Sequence, residues 1–307
     1  MSLSISELQS MFSDIAPIPQ DDGPEPVVSI QYPYEFSFAM NIFRAVLAVN
    51  ELSERTLTLS EHIIRINAAN YTAWHFRRQI LTALCKDWKD ELRLCDSIAE
   101  MTAKNYQLWY HRREAVEKLR DPSTELQHTA EVFRNDPKNY HSWSHRQWVI
   151  SEFSLWNSEI QFIEQCLVED PFNNSAWNQR WFIVTKNNTV DISDPLVIAE
   201  EIKFAIGHLQ KIPQNESPWN YILGVLEHTN FPKSTSSEVA DFSKSVLLTC
   251  PQCRFAASTL LEIYIASGNE HQIAEAVKLS EMLEKDLDCI RSKYWIWRRE
   301  EMLRKEG

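Results

Sequence analysis

The sequence predicts an all-α protein, an α-α superhelix (solenoid) of stacked antiparallel helical hairpins, on three observations. Trp74, Trp109, Trp143, Trp177 and Trp219 stand 35, 34, 34 and 42 residues apart, a period of the kind that marks helical-hairpin arrays. Each of these tryptophans has an Asn four residues before it (Asn70, Asn105, Asn139, Asn173, Asn215), and four have an Arg three after it (Arg77, Arg112, Arg146, Arg180). Only 5 of the 307 residues are Gly, too few for the many tight turns of a β-rich fold.

The elements follow in order. Pro17, Pro19, Pro24, Pro26 and Pro33 surround an Asp21-Asp22-Gly23 turn, so residues 1–34 read as an extended arm without regular helix. Its apolar residues (Ile15, Ile18, Val27, Val28, Ile30) suggest that it lies along a surface. A first helix is predicted near Glu35, past Phe43 and Leu47, and a second from Ser53-Glu54 through Ile63 and Ile64. The repeats follow, each Trp helix opened by its Asn as N-cap, with Pro137, Pro171 and Pro213 ending the preceding helix two residues earlier. A further helix with apolar spacing is expected to complete each hairpin after the Trp helix: Leu92, Cys95, Ala99; Leu126, Ala130, Phe133; Ile160, Ile163, Leu167; Ile198, Ile202, Ala205, Leu209. Beyond Trp219 the motif dissolves while helical patterns continue to Leu303, for about fifteen helices in all. Residues 35–307 thus read as one solenoid domain behind the arm.

Bulk properties narrow the function. A net charge of −12 argues against a nucleic-acid or anionic-membrane partner, so any anion site must be local. No stretch is apolar enough to span a bilayer, and no basic-then-apolar signal layout opens the chain. Six irregularly spaced cysteines fit reduced thiols and a cytoplasmic setting. Cys250-Pro251-Gln252-Cys253 has no second pair and no βαβ surroundings, so it reads as a helix-connecting turn.

Within the repeats, the Trp fills the core between hairpins, and the Arg one turn later can stack on a ring or bond a carbonyl or carboxylate. His75, His111 and His145 fit the same structural role, and no histidine spacing reads as a metal site. The turns into the Trp helices should line one edge, a row of helix N-termini suited to phosphate. Two adjacent copies add Lys and Tyr there: Lys104-Asn105-Tyr106-Gln107 and Lys138-Asn139-Tyr140-His141. The other copies carry Ala69, Phe172 and Gln214 at the Lys position, which confines anion-suited chemistry to the middle of the array. Solvated loop residues would explain Lys and Tyr equally well from periodicity alone. There is no catalytic triad motif, phosphate-cradling Gly-rich loop or paired-carboxylate motif, so a partner-wrapping array is a better reading than a self-sufficient active site.

The pattern Asn70-Tyr71-Thr72-Ala73-Trp74-His75-Phe76-Arg77-Arg78 resembles the prenyltransferase α-subunit repeat. The run from Lys138 to Ile150, the segments from Asn173 to Arg180 and from Asn215 to Tyr221, the arm from Ile18 to Pro24, and Phe43 to Leu47 are similar to the family's CaaX branch, the farnesyltransferases and type I geranylgeranyltransferases. The resemblance covers about residues 15–300 and weakens after Trp219. It implies a crescent-shaped α subunit wrapped around a β subunit. In that family the β subunit holds zinc and most of the isoprenoid pocket, and the heterodimer joins a farnesyl or geranylgeranyl group as a thioether to the Cys of a C-terminal CaaX box. Magnesium on the diphosphate is a candidate companion ion.

By matching motifs, the resemblance implies that Lys104 binds the isoprenoid diphosphate and stabilises its departure as pyrophosphate. Tyr140, with Asn139 beside it, would hydrogen-bond the diphosphate. Tyr106 and His141 would line the path of the isoprenoid, and Gln107 would contact the peptide's terminal carboxylate. No catalytic role is carried to Lys138. Two other readings stand beside this one. A tetratricopeptide scaffold shares the 34-residue period but wants a small residue four after its Trp, where this chain has Arg78, Arg113, Gln147 and Trp181. The Rab geranylgeranyltransferase α subunit has similar repeats, and the two Lys-Asn-Tyr copies favour the CaaX branch over it.

Overall fold

The computed structural model describes residues 3–28 and 30–304, and all regular elements among them are helical. The chain divides into two compact units, Met1–Phe153 and Ser154–Gly307. Unit one holds α1 (Ile5–Met11), α2 (Tyr34–Ala48), α3 (Glu54–Ile66), α4 (Tyr71–Ala83), α5 (Trp88–Thr102), α6 (Tyr106–Leu119), α7 (Glu125–Asn135) and α8 (Tyr140–Phe153). Unit two holds α9 (Glu159–Glu169), α10 (Asn174–Lys186), α11 (Pro195–Leu209), α12 (Glu216–His228), α13 (Lys233–Thr249), α14 (Arg254–Ser267), α15 (Glu270–Met282) and α16 (Ser292–Arg304). Within each unit the helices pack as successive antiparallel hairpins.

The phase of the hairpins differs from the expectation. Each Trp helix packs along the helix before it: α4 on α3, α6 on α5, α8 on α7, α10 on α9 and α12 on α11. The period alone carries no phase, because a repeat of two helices can be cut at either of the two loops that flank a Trp helix. The Trp helix therefore closes its hairpin.

The arm needs correcting at its beginning. Residues 5–11 form α1, where Ser4 accepts from the Glu7 amide and the Glu7 carboxylate accepts from the Ser4 amide in a capping box. The prolines that exclude helix begin only at Pro17. Leu8 and Phe12 enter the core with Phe43, Ile63 and Trp74. Downstream, the arm lies against α2: the Ile18 amide donates to the Asn41 carbonyl, and Arg44 Nε donates to the Ile18 carbonyl. The Asp21-Asp22-Gly23 turn forms as expected, with Gly23 at φ +80° donating to Asp21. The apolar residues beyond it do not bury, since Val27 is 100% exposed and Ile30 is 63% exposed.

Four of the five Trp helices end on left-handed residues that are not glycine (Cys85, Arg120, Ser154 and Asn230), as α2 does on Asn50, all with φ of 49–57°, while Gly268 ends α14 cheaply. At about 1 kcal/mol each, this strain is the cost of turning a helix with so few glycines. Helical hairpins also continue past Trp219, where α13 packs on α14. There Cys253 takes the place of the cap Asn, and its thiol donates to the Pro213 carbonyl at 3.2 Å. All six cysteines are free, and burial pushes the Cys253 thiol up, so Cys250 and Cys253 frame a turn as expected.

Candidate functional site

Each Trp-helix entrance is built by the same two residues, the cap Asn and the Trp. The cap Asn Oδ1 accepts from amides of the first turn: Asn105 from Gln107 and Leu108 (2.8 and 3.3 Å), Asn139 from Ser142 (3.0 Å). The Trp indole N–H then donates back to the carbonyl six residues earlier, Trp74 to Ala68, Trp109 to Ala103, Trp143 to Pro137, Trp177 to Pro171 and Trp219 to Pro213. The Trp therefore does more than fill the core: it fixes the loop that precedes its own helix. Trp109 pins the peptide just before Lys104 in this way.

A buried carboxylate joins neighbouring hairpins. Arg77 of α4 makes a two-pronged bond to Glu91 of α5 (2.6 and 2.8 Å), and His111 of α6 bonds the same carboxylate at 2.8 Å. Arg112 and His145 repeat this on Glu125, and Arg180 and Tyr221 on Glu201, while Gln179 donates to Glu159. Burial alone would raise the Glu91 and Glu125 carboxyls, but bonds from His and Arg hold both at about 2. Burial pushes His111 and His145 down, with the carboxylates opposing only in part, so both are neutral at pH 7 and donate through Nε2. These carboxylates were missed in the sequence. Glu91, Glu125, Glu159 and Glu201 stand 34, 34 and 42 apart, the spacing of Trp109 to Trp219, and that signal was available.

With the loops fixed, the residues singled out in the sequence fall on two neighbouring entrances. Tyr106 and Tyr140 are the first residues of α6 and α8 and stand 70% and 68% exposed. His141 lies between them, its ring edge-on to Tyr106 at 4.3 Å between centroids and to Tyr140 at 5.5 Å. Burial pushes the His141 imidazole below its ordinary value, so it is neutral at pH 7. Gln107 sits half-buried in the first turn of α6. Lys104 is exposed, and its Nζ lies 3.1 Å from Asp136 Oδ2. Asn139 is buried, and its Nδ2 reaches both the Asp136 carboxylate (3.3 Å) and the Ala103 carbonyl (3.4 Å). Lys104, Asp136 and Asn139 together line a cleft of about 1090 Å³ between α5 and α7. An ion pair this open to water contributes roughly 0–1 kcal/mol, enough to bias an ammonium and too little to hold it against a multiply charged anion. Asp136 was not singled out in the sequence, because a single carboxylate in a loop carries no signal until two loops meet.

The site thus has an exposed cation, two phenol donors and a neutral imidazole along one edge, over helix N-termini that favour anions. Among the described residues no group of three or more His, Cys, Asp or Glu could hold a metal ion. No described helix is long and apolar enough to cross a membrane.

Hairpins capped by Asn and locked by Trp define a class, and the protein prenyltransferase alpha subunit repeat is matched by residues 53–84, 88–119, 122–153 and 156–187. Those ranges cover α3–α4, α5–α6, α7–α8 and α9–α10, the same hairpin phase that the packing gives. The chain is 38% identical over 311 residues to the protein farnesyltransferase/geranylgeranyltransferase type-1 subunit alpha of Pisum sativum, covering 95% of this chain and 93% of that one. To the subunit of the same name from Dictyostelium discoideum it is 35% identical over 296 residues, covering 92% and 90%. The solved Candida albicans protein geranylgeranyltransferase-I complexed with GGPP has a chain matching with TM-score 0.85 and 29% identity, over 94% of this chain and 98% of that one. The chain belongs to the family of the protein farnesyltransferase/geranylgeranyltransferase type-1 α subunits. Its fold is that of the prenyltransferase helical-hairpin superhelix, and the tetratricopeptide reading is set aside.

Proposed function

We propose that this chain is the α half of a heterodimeric CaaX protein prenyltransferase. With a β subunit, it transfers a farnesyl or geranylgeranyl group from its diphosphate to the cysteine of a C-terminal CaaX sequence. The observation that carries the reading is the convergence of Lys104, Tyr106, Asn139, Tyr140 and His141 on two adjacent helix entrances, with the ammonium and both phenols left exposed. A scaffold would have no use for that composition at this place.

In the reaction the sulfur electron pair of the substrate cysteine forms the bond to C1 of the isoprenoid. The C1–O bond breaks, and its electrons leave on the diphosphate. Negative charge therefore grows on the leaving oxygen, where the Lys104 ammonium and the Tyr140 hydroxyl stabilise the transition state more than the ground state. Tyr106 and His141 form a wall along which C1 approaches the sulfur, and Gln107 offers its amide to the peptide carboxylate. Zinc, which activates the thiolate in this family, finds no ligand set among the described residues of this chain and is assigned to the β subunit. Magnesium, where used, accompanies the diphosphate.

The test is zinc-dependent farnesyl transfer to a CaaX peptide by this chain co-expressed with its organism's farnesyltransferase β subunit, against the same pair carrying Lys104→Ala. Transfer by the pair only, slowed about 10²–10³-fold in the variant with assembly intact, is the expected result. An equally fast variant removes Lys104 from the chemistry. A pair that assembles but transfers only with an added escort protein would point to the Rab enzyme.

A further inference from the structure

Lys104 reaches its proposed target on a long flexible stem, and such a side chain loses much rotamer freedom when it is fixed. The structure supplies a device that removes part of this loss beforehand. Asp136 Oδ2 lies 3.1 Å from Lys104 Nζ, and the same oxygen accepts from Asn139 Nδ2 at 3.3 Å. Asn139 is itself fixed twice over, by capping α8 through Ser142 and by donating to the Ala103 carbonyl. Trp109 donates to that same carbonyl, so the backbone on which Lys104 stands and the carboxylate that receives it are tied to one frame.

We infer that Asp136 is a positioning residue for the transfer reaction: it holds the Lys104 ammonium aimed along the α6–α8 edge until a diphosphate arrives. The ammonium then exchanges one carboxylate oxygen for the more strongly charged diphosphate, and returns to Asp136 when pyrophosphate leaves. No proton moves and no bond is made in this exchange. The carboxylate also opposes the diphosphate by like charge, so its two effects have opposite signs on binding and on rate. That pairing distinguishes the role from a merely structural one. The inference rests on the proposed role of Lys104.

The experiment uses the co-expressed heterodimer with farnesyl diphosphate and a CaaX peptide, comparing wild type, Asp136→Asn, Lys104→Ala and the double variant. Asn keeps an acceptor oxygen for Asn139 while removing the charge. Asp136→Asn is expected to bind farnesyl diphosphate about fivefold more tightly, from relief of like-charge repulsion. Its single-turnover rate is expected to fall about threefold, within what so open an ion pair can contribute, from the less directed ammonium. In the Lys104→Ala background the rate effect should vanish. The inference is overturned if Asp136→Asn changes neither quantity, if it weakens binding together with rate, or if the rate loss persists without Lys104. Should Lys104→Ala itself be as fast as wild type, the site reading fails and takes Asp136 with it. A slow Lys104→Ala beside a neutral Asp136→Asn removes Asp136 alone.

Discussion

Two polar regions of the first unit use the same residue types in opposite ways. Inside, Glu91 and Glu125 are each closed off by an Arg from one hairpin and a His from the next, with both oxygens occupied and nothing exposed. At the edge, Lys104 has a single carboxylate partner in open water, and Tyr106 and Tyr140 stand in solvent. Saturated polar groups hold the stack together. Unsaturated ones are available to a ligand, and the difference in satisfaction separates structure from function where the amino acids do not.

Acid should break the inner region most strongly. The folded Glu91 and Glu125 carboxyls lie at about 2 against an ordinary 4.5, so the unfolded chain binds more protons and stability is lost as pH falls from 4.5 toward 2. That amounts to about 3 kcal/mol for each carboxylate. The lowered His111 and His145 act in the same direction earlier, since their stabilising neutral form is fully present above 6.5 and is lost below it. Circular dichroism from pH 8 to pH 2 should show unfolding in that window, and a flat signal would contradict the assignment.

Next in size, Glu125→Ala should cost about 3–5 kcal/mol by stranding Arg112 and His145, read as a lowered urea midpoint of the complex. Lys104→Ala should do the reverse. Its unfolding midpoint should stay within about 0.5 kcal/mol of wild type, as for an exposed residue. Its transfer rate should fall about 10²–10³-fold. Cys85→Gly tests neither region and should be the smallest, a gain of about 0.5–1 kcal/mol from relieving a left-handed residue at φ 51°.

The contrast also explains what could be read from the sequence. The cap Asn and the Trp were legible because each acts on its own loop, through bonds spanning six residues or fewer, and such bonds recur with the period. The family resemblance pointed to Lys104, Tyr106, Asn139, Tyr140 and His141, and the structure puts them on adjacent entrances. The partnership of Lys104 with Asp136 spans 32 residues and depends on how two loops face each other, which a one-dimensional pattern does not contain. The hairpin phase was hidden for the same reason. Helix α1 was hidden because proline content was averaged over an arm whose first sixteen residues contain none.

The doubly held glutamates also bear on how the chain is made. Synthesis runs from the N-terminus, so Arg77 emerges before Glu91, and His111 follows 20 residues later. Each carboxylate emerges onto an arginine already made and meets its second partner when the second helix of its own hairpin has left the ribosome, about one to four seconds on at ordinary elongation rates. Every finished hairpin, ending in an arginine such as Arg77 or Arg112, therefore offers the glutamate of the next one a place to dock, and assembly is favoured in the order of synthesis.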